Sequence, residues 1–438
     1  MSLWIGVMFL ALIVLLLLGY PVALTLGAVA LLFGSIFLGF AFFDLLPLNI
    51  WGIMTNFSLL AVPLFIFMGV ILDKSGLAEE LLETMALLFG RLRGGLALSV
   101  VIVGALLAAT TGVVGATVVT MGIIALPTML KHAYSPQLAS GTIAASGTLG
   151  QIIPPSIILI LLGDVMGVPV GRLFMAAVIP GLLLVVLFCI YLGGVAWFFP
   201  QSAPALKQDK SNHLFTRVIF SLLPPLILVV AVLGSIFFGI ASPTESAAVG
   251  ALGAMCLAAS HRKLTMANLK DSMRLTTRLT SMVFLILIGA NAFGLVFRGM
   301  GGDILVLELM TNLPGGIWGF LLISMLLVFV LGFFLDFLQI CFIVVPILSP
   351  IAQHMQVDLL WFAILIAINL QTSFLTPPFG FSLFYLKAVA PPAVNIHHIY
   401  RGIIPFVILQ LIGILILITF PDFVLWLPDI MDRMHGLK

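Results

Sequence analysis

The stretch Gly147-Thr148-Leu149-Gly150-Gln151-Ile152-Ile153-Pro154-Pro155-Ser156 sits inside an apolar segment and carries two adjacent prolines. Later in the chain Thr372-Ser373-Phe374-Leu375-Thr376-Pro377-Pro378-Phe379 repeats the device. Proline lacks an N–H and its ring clashes with the carbonyl four residues back, so each pair breaks a helix. The first frees the carbonyls of Gly150 and Gln151, the second those of Ser373 and Phe374. An unpaired carbonyl is costly in lipid but is a good ligand for a hard cation. Hydroxyl-bearing or small residues flank both breaks: Ser146, Gly147, Thr148 and Ser156 in one, Thr372, Ser373 and Thr376 in the other. A bland reading, in which the prolines only kink a packed span and the hydroxyls bond back to nearby carbonyls, suits one copy better than two copies in corresponding places.

The rest of the chain says what kind of segment is being broken. Its 438 residues are 62% hydrophobic and 8% charged, with a formal net charge of +2. A soluble domain carries roughly 45–50% apolar and about 25% charged residues. This composition excludes an ordinary cytosolic enzyme, a disordered chain and a nucleic-acid binder, and it predicts an all-α polytopic membrane protein. Continuous apolar runs such as Leu3 to Leu18 and Leu214 to Ile240 are too long for the alternating segments of a transmembrane barrel. No cleavage site with a basic flank marks the first run as a signal peptide. Cys189, Cys256 and Cys341 are scattered through apolar segments and read as small hydrophobes. No Walker motif, HExxH or nucleophile-base arrangement is present, so the chain reads as no enzyme.

Punctuation by charge, Pro and Gly predicts spans near 3–18, 22–42, 50–72, 138–163, 172–199, 214–240, 245–260, 280–297, 358–386 and 401–427. The stretches 96–130 and 317–352 are too long for one span and too short for two with a loop. Each is interrupted midway, by Thr110-Thr111-Gly112 in one and by Gly332 and Asp336 in the other. Both read as re-entrant helical hairpins, backbone that membranes tolerate only inside protein or around a watery cavity.

The order of parts occurs twice. Gly94-Gly95 and Gly315-Gly316 each follow an amphipathic segment, 73–93 and 298–314. Each then precedes a hairpin ending at Leu126-Pro127 or Val345-Pro346, a double-proline span, and a span bearing Ile179-Pro180 or Ile404-Pro405. Basic residues fix the orientation of the copies. Lys74, Arg91, Arg93, Lys131, Lys207, Lys210, Arg217, Arg262, Lys263, Lys270, Arg274, Arg278, Lys387 and Arg401 fall on one face, against Arg172, Arg298, Arg433 and Lys438 on the other. The first face is cytoplasmic by the positive-inside rule and both termini are periplasmic. The sorting requires both hairpins to be re-entrant, and it makes the repeat inverted, as in many secondary transporters.

The resulting division is 1–72 N-terminal spans, 73–199 first repeat, 200–213 cytoplasmic linker, 214–280 connecting spans with a basic surface-lying helix over 261–280, 281–428 second repeat, and 429–438 C-terminal tail. Half-helix N-termini at the two hairpin tips can receive a carboxylate without a full cation. Asp336 is an intramembrane acid and a functional candidate, or else the cap of the second half-hairpin. Ser242-Pro243-Thr244-Glu245 reads as a capping box. Asn291 and Asn369 read as interhelical hydrogen-bond partners, and His397 and His398 as loop residues.

Thr111-Gly112, the run Gly147 to Ser156, the segment Ser242 to Gly250 and the run Asn369 to Gly380 together resemble the large membrane subunit of tripartite ATP-independent periplasmic (TRAP) transporters. The resemblance spans almost the whole chain through three ordered motifs. It implies a bacterial inner-membrane, Na⁺-driven importer of organic acids with an elevator mechanism, a small membrane subunit as a separate polypeptide, and a soluble periplasmic substrate-binding protein. Carried over by motif, one Na⁺ site would use Gly112, Gly115, Gly147, Thr148, Gly150, Gln151 and Pro154. The second would use Gly332, Asp336, Thr372, Ser373, Thr376 and Pro377, and the carboxylate would meet Thr111, Gly112, Asp336, Ser156 and Thr376. Many relatives have a Ser-rich first tip, whereas Val113-Val114 follow Gly112 here. The alternatives in view are a stand-alone ion-coupled anion transporter or channel without a binding protein, and a lipid-acting membrane enzyme. The carboxylate itself stays open among lactate, 2-oxo acids, C4-dicarboxylates and sugar acids.

Overall fold

A computed structural model describes residues 2–111, 114–205, 214–378 and 380–436. The first part of the chain forms α1 (Ser2–Leu17), α2 (Val22–Phe37), α3 (Leu46–Met54) and α4 (Ala61–Lys74). An arm, α5 (Leu77–Phe89), leads to the helical pair α6 (Gly95–Thr111) and α7 (Val114–Lys131). The first broken helix follows as α8 (Pro136–Thr148) and α9 (Ile157–Met166), then α10 (Val170–Phe198). After α11 (Leu214–Phe237) and α12 (Pro243–Ser260), the order returns: α13 (Met266–Gly299), an arm α14 (Gly302–Thr311), and a hairpin of α15 (Ile317–Leu331) with α16 (Phe337–Gln339) and α17 (Val345–His354). The second broken helix is α18 (Leu359–Leu375) with α19 (Phe381–Val389), followed by α20 (Ile396–Thr419) and α21 (Asp422–Met434).

The punctuation of the two copies matches in detail. Gly76 and Gly301, both in the left-handed region, open the two arms. Gly94 and Gly315 likewise have positive φ before the two hairpins, where a Cβ would be strained. Pro154-Pro155 and Pro377-Pro378 are both cis. Among the described residues six helices are long and apolar enough to cross a membrane singly, or seven if the bent pair α3–α4 counts as one. The limbs α6 and α15 and the half-helices α9 and α18 are apolar but shorter, the expected result where hairpins and breaks interrupt a span.

Five features of the predicted division differ in the structure. The basic run over 261–280 is not a separate surface-lying helix. Residues 261–265 are the turn after α12, and 266–280 are the first half of the 34-residue α13, because no proline interrupts 266–299. At about 1.5 Å per residue such a helix is about 50 Å long, more than the roughly 30 Å of hydrocarbon, so its basic end projects beyond the bilayer. The division at 280 therefore falls inside one helix, as does that at 428, which cuts α21. The span over 401–427 ends at Thr419, because Pro421 cannot continue α20 and starts α21 instead. Finally, the span 50–72 is bent by 58° between Met54 and Ser58.

The helices pack as two groups. In one, α4 lies against α12 and α13, α13 against α2, and α11 against α12 and α5. In the other, α8 lies between the hairpin limbs α6 and α7 on one side and α20 on the other, α15 packs on α18, and α19 on α7. Small residues make the second group tight: a Cβ on Gly141 would sit 2.1 Å from the Gly402 carbonyl oxygen, and one on Gly402 2.1 Å from that of Gln137. Between the groups, α4 touches α6 and α9, and α13 touches α16 and the turn at 340–344. Polar links cross this seam at both ends of α4. Thr120 Oγ1 donates to Asp73 at 3.0 Å, and Asn56 donates to Asp164.

Candidate functional site

In the first broken helix, α8 loses regular bonding at Thr148 and tightens into a single turn over Leu149–Gln151. The backbone N–H groups of Ile152 and Ile153 both donate to the Leu149 carbonyl, at 3.1 and 2.9 Å. Ser156 then opens α9 with extended backbone, and its hydroxyl reaches back 2.8 Å to the carbonyl of Gln151. In the second, α18 runs to Leu375 and stops at Thr376, whose N–H donates 3.1 Å to the Ser373 carbonyl. Gly380, in the left-handed region, restarts the chain as α19.

This hydrogen bonding corrects the count of freed carbonyls. Ser156 takes that of Gln151 and Thr376 takes that of Ser373. Gly150 and Phe374, one in each break, are left with no loop, cap or side-chain donor among the described residues. The flanking hydroxyls do bond back along their own helices. Thr148 donates to Ala145 at 2.8 Å, Thr372 to Ile368 at 2.8 Å, Ser373 to Leu370 at 2.8 Å and Thr376 to Thr372 at 2.7 Å. A hydroxyl that has placed its proton on a carbonyl still carries acceptor lone pairs. Each break therefore offers carbonyl and hydroxyl oxygens of no net charge, a donor set that fits Na⁺. Among the described residues no three His, Cys, Asp or Glu side chains converge as a metal-binding group.

Both hairpins close on their breaks through glycine. A Cβ on Gly104 would meet Ser146 Cβ at 2.7 Å, one on Gly147 would meet Val118 Cγ2 at 2.3 Å, and Gly150 lies on the backbone of Ala108. The first hairpin thus grips the first break with both limbs. Gly115, near its tip, packs on the Tyr385 ring of α19, so this hairpin reaches the second broken helix as well. Gly112 and the side chain of Thr111 lie outside the described residues. On the other hairpin, a Cβ on Gly332 would fall 2.1 Å from Ser373 Oγ, and the rings of Phe337, Phe374 and Phe381 meet in succession at tilted angles, 6.1 and 5.1 Å between centroids.

Asp336 sits at the turn of the second hairpin and caps its second limb, its Oδ1 accepting from the N–H of Phe337 at 2.8 Å. That limb widens into one π-helical turn over Ile340–Val344 before Pro346, the kind of local defect that recurs at functional sites. Pro154 is buried with the first break, and Pro377 is half-buried in the second. Asn369 donates 2.7 Å to the Met325 carbonyl, which makes it an α18–α15 tie, and Glu245 completes the expected capping box with Ser242.

Two polar residues escaped the sequence reading. Gln410, fully buried on α20, points its Nε2 at Thr148 Oγ1 at 3.5 Å and ties the second copy to the first break. Gln371, six residues before Pro377, is fully buried with neither amide atom partnered, as is Gln151 in the first break. The signal was present as lone amides inside apolar spans, where polar residues are costly enough to be functional candidates.

A family profile described as the tripartite ATP-independent periplasmic transporter, DctM component, matches residues 9–423. The sialic acid TRAP transporter large permease protein SiaM of Vibrio cholerae is 30% identical, covering 98% of this chain and 97% of its own. The C4-dicarboxylate TRAP transporter large permease protein DctM of Pseudomonas aeruginosa is 29% identical over 88% of this chain and 89% of its own. Among solved structures, the YdaH transporter of Alcanivorax borkumensis superposes with a TM-score of 0.66 at 13% identity, covering 94% of this chain and 99% of that one, a likeness of fold.

Proposed function

The chain belongs to the tripartite ATP-independent periplasmic transporter family as its DctM component, and from that membership we propose that it imports an organic carboxylate across the bacterial inner membrane, driven by Na⁺. The observation that carries the reading is the paired break: two double-proline interruptions, each gripped by a hairpin and each lined by neutral oxygens. Na⁺ is cargo here as much as the carboxylate. One ion would be held by Gly147, Thr148, Gly150, Gln151 and Pro154 with the Gly112–Gly115 tip. The other would be held by Gly332, Asp336, Thr372, Ser373, Thr376 and Pro377.

Filling both sites puts positive charge beside two helix breaks and lets the hairpin tips receive a carboxylate, with Ser156 and Thr376 near it. The group containing both hairpins then moves against α2, α4 and α11–α13 as an elevator. The polar links of Asp73 and Asp164 would break in each cycle. A small membrane subunit and a periplasmic substrate-binding protein would complete the system, and the positive-inside count supports periplasmic termini. Relatives acting on sialic acid and on C4-dicarboxylates support a carboxylate without choosing one.

Reconstitution with both partner subunits in proteoliposomes tests the reading. Accumulation of the carboxylate should require an inward Na⁺ gradient, and uptake that ignores the gradient would reject it.

A further inference from the structure

Around the two breaks most hydroxyl protons are already placed. Ser156 donates to the Gln151 carbonyl at 2.8 Å and Thr376 to the Thr372 carbonyl at 2.7 Å. Both hydroxyls set beside the carboxylate can therefore accept but not donate. Thr148, Thr372 and Ser373 are committed in the same way. An acid and the oxygens beside it need donors, and these side chains supply none.

Tyr385 differs. It lies on α19, five residues past the Gly380 that restarts the chain after the second break. Its ring packs on Gly115 near the tip of the first hairpin, where a Cβ would fall 3.1 Å from Cε2 and 3.2 Å from Cζ. Asp336, at the turn of the second hairpin, lies within electrostatic reach of its phenol. The side chain thus stands where the first hairpin, the second hairpin and the second break converge. It is 39% exposed, and its hydroxyl has no hydrogen-bond partner among the described residues. The nearest cation along α19, Lys387, is engaged by the Val394 carbonyl at 3.0 Å.

Charge narrows what this phenol can meet. Asp336 is the one charged side chain among the residues assigned above to the ions and the carboxylate. Two Na⁺ would offset Asp336 and a single carboxylate. A dicarboxylate would leave a surplus negative charge at membrane depth, where it is costly.

We infer that Tyr385 is a substrate-binding residue whose hydroxyl donates to the oxo or hydroxyl oxygen next to the carboxylate of a monocarboxylic acid, while the hairpin tips hold the carboxylate itself. On the Na⁺-coupled reading proposed above, on which this assignment rests, the site favours 2-oxo and 2-hydroxy monocarboxylates over C4-dicarboxylates.

The test is acid binding to the purified full chain in nanodiscs, read as the shift in thermal midpoint at saturating Na⁺, with lactate, pyruvate, propionate and succinate as probes. Lactate and pyruvate should bind at roughly tenfold lower concentration than propionate, the gap that one hydrogen bond supplies, and succinate should be weaker still. Tyr385→Phe keeps the ring on Gly115 and removes only the hydroxyl. It should weaken lactate and pyruvate roughly tenfold and leave propionate unchanged. The midpoint with Na⁺ alone should also hold, whereas a loss of packing would lower it. An unchanged ratio of lactate to propionate affinity, equal weakening of propionate, or succinate bound as tightly as lactate would each overturn the assignment, as would failure of every probe to bind. Failure of the Na⁺ reading is seen separately: acids bound equally well in K⁺ and in Na⁺ would reject coupling, and the loss of lactate affinity in Tyr385→Phe would still be measurable.

Discussion

The two double-proline breaks share a motif and a place in the repeat, yet they are closed differently. Around the first, Ser146, Thr148, Gln151 and Ser156 are all fully buried, and both limbs of its hairpin lie on it through Gly104, Gly147 and Gly150. Around the second, Thr372 and Ser373 are fully buried, but Thr376 and Pro377 are half-buried and Pro378 is exposed. Its hairpin meets it at Gly332 and through a run of phenylalanines. The same helix-breaking chemistry occurs twice, and packing buries one copy fully and leaves the other partly exposed.

The most severe way to break the comparison is to open the fully buried side. Gly141→Leu forces a side chain into the Gly402 carbonyl, with backbone on both sides and nothing flexible to yield. It should cost about 3 kcal/mol or more and remove folded protein from membranes, as fluorescence-detected size exclusion would read. Gly147→Ala is milder. Its methyl meets Val118, whose Cα and N are also within 3.2 Å, so about 1–3 kcal/mol is expected, seen as a lower thermal midpoint. Gly332→Ala should cost about as much, because its methyl meets Ser373 Oγ and also the fixed Ser373 Cβ at 2.6 Å, but here one neighbouring side chain supplies the whole close obstacle. The double variant Gly332→Ala with Ser373→Gly should regain the stability while keeping a weakened Na⁺ response. If Ser373→Gly fails to rescue Gly332→Ala, the second closure does not rest on Ser373 and the two closures are not different in kind.

What could be read from the sequence follows from how local its cause is. A proline pair acts on carbonyls four residues away, and an amphipathic stretch closed by Gly-Gly marks its own arm, so breaks, arms and hairpins were legible in order. The Ser242–Glu245 box is equally local. Gln410 meeting Thr148 depends on how α20 crosses α8, a consequence of Gly141 and Gly402 that no spacing announces. The capture of the Gln151 carbonyl by Ser156 is short-range but needs the path of the chain through the break. The run 261–280 misled for another reason. Its charge read as a membrane-surface helix, while the absence of any breaker after 265 made 266–280 continuous with the span that follows.

Cation coupling through both breaks is the central claim, and the Na⁺ dependence of carboxylate uptake in the reconstituted three-part system measures it directly. Thr148→Val and Thr372→Val keep shape and remove one hydroxyl from each site. Wild-type uptake should rise sigmoidally with Na⁺, and each variant should need more Na⁺ and lose that curvature, since each weakens one of two cooperating ions. Variants whose Na⁺ curves overlay the wild type, with only the carboxylate affinity altered, would contradict the account.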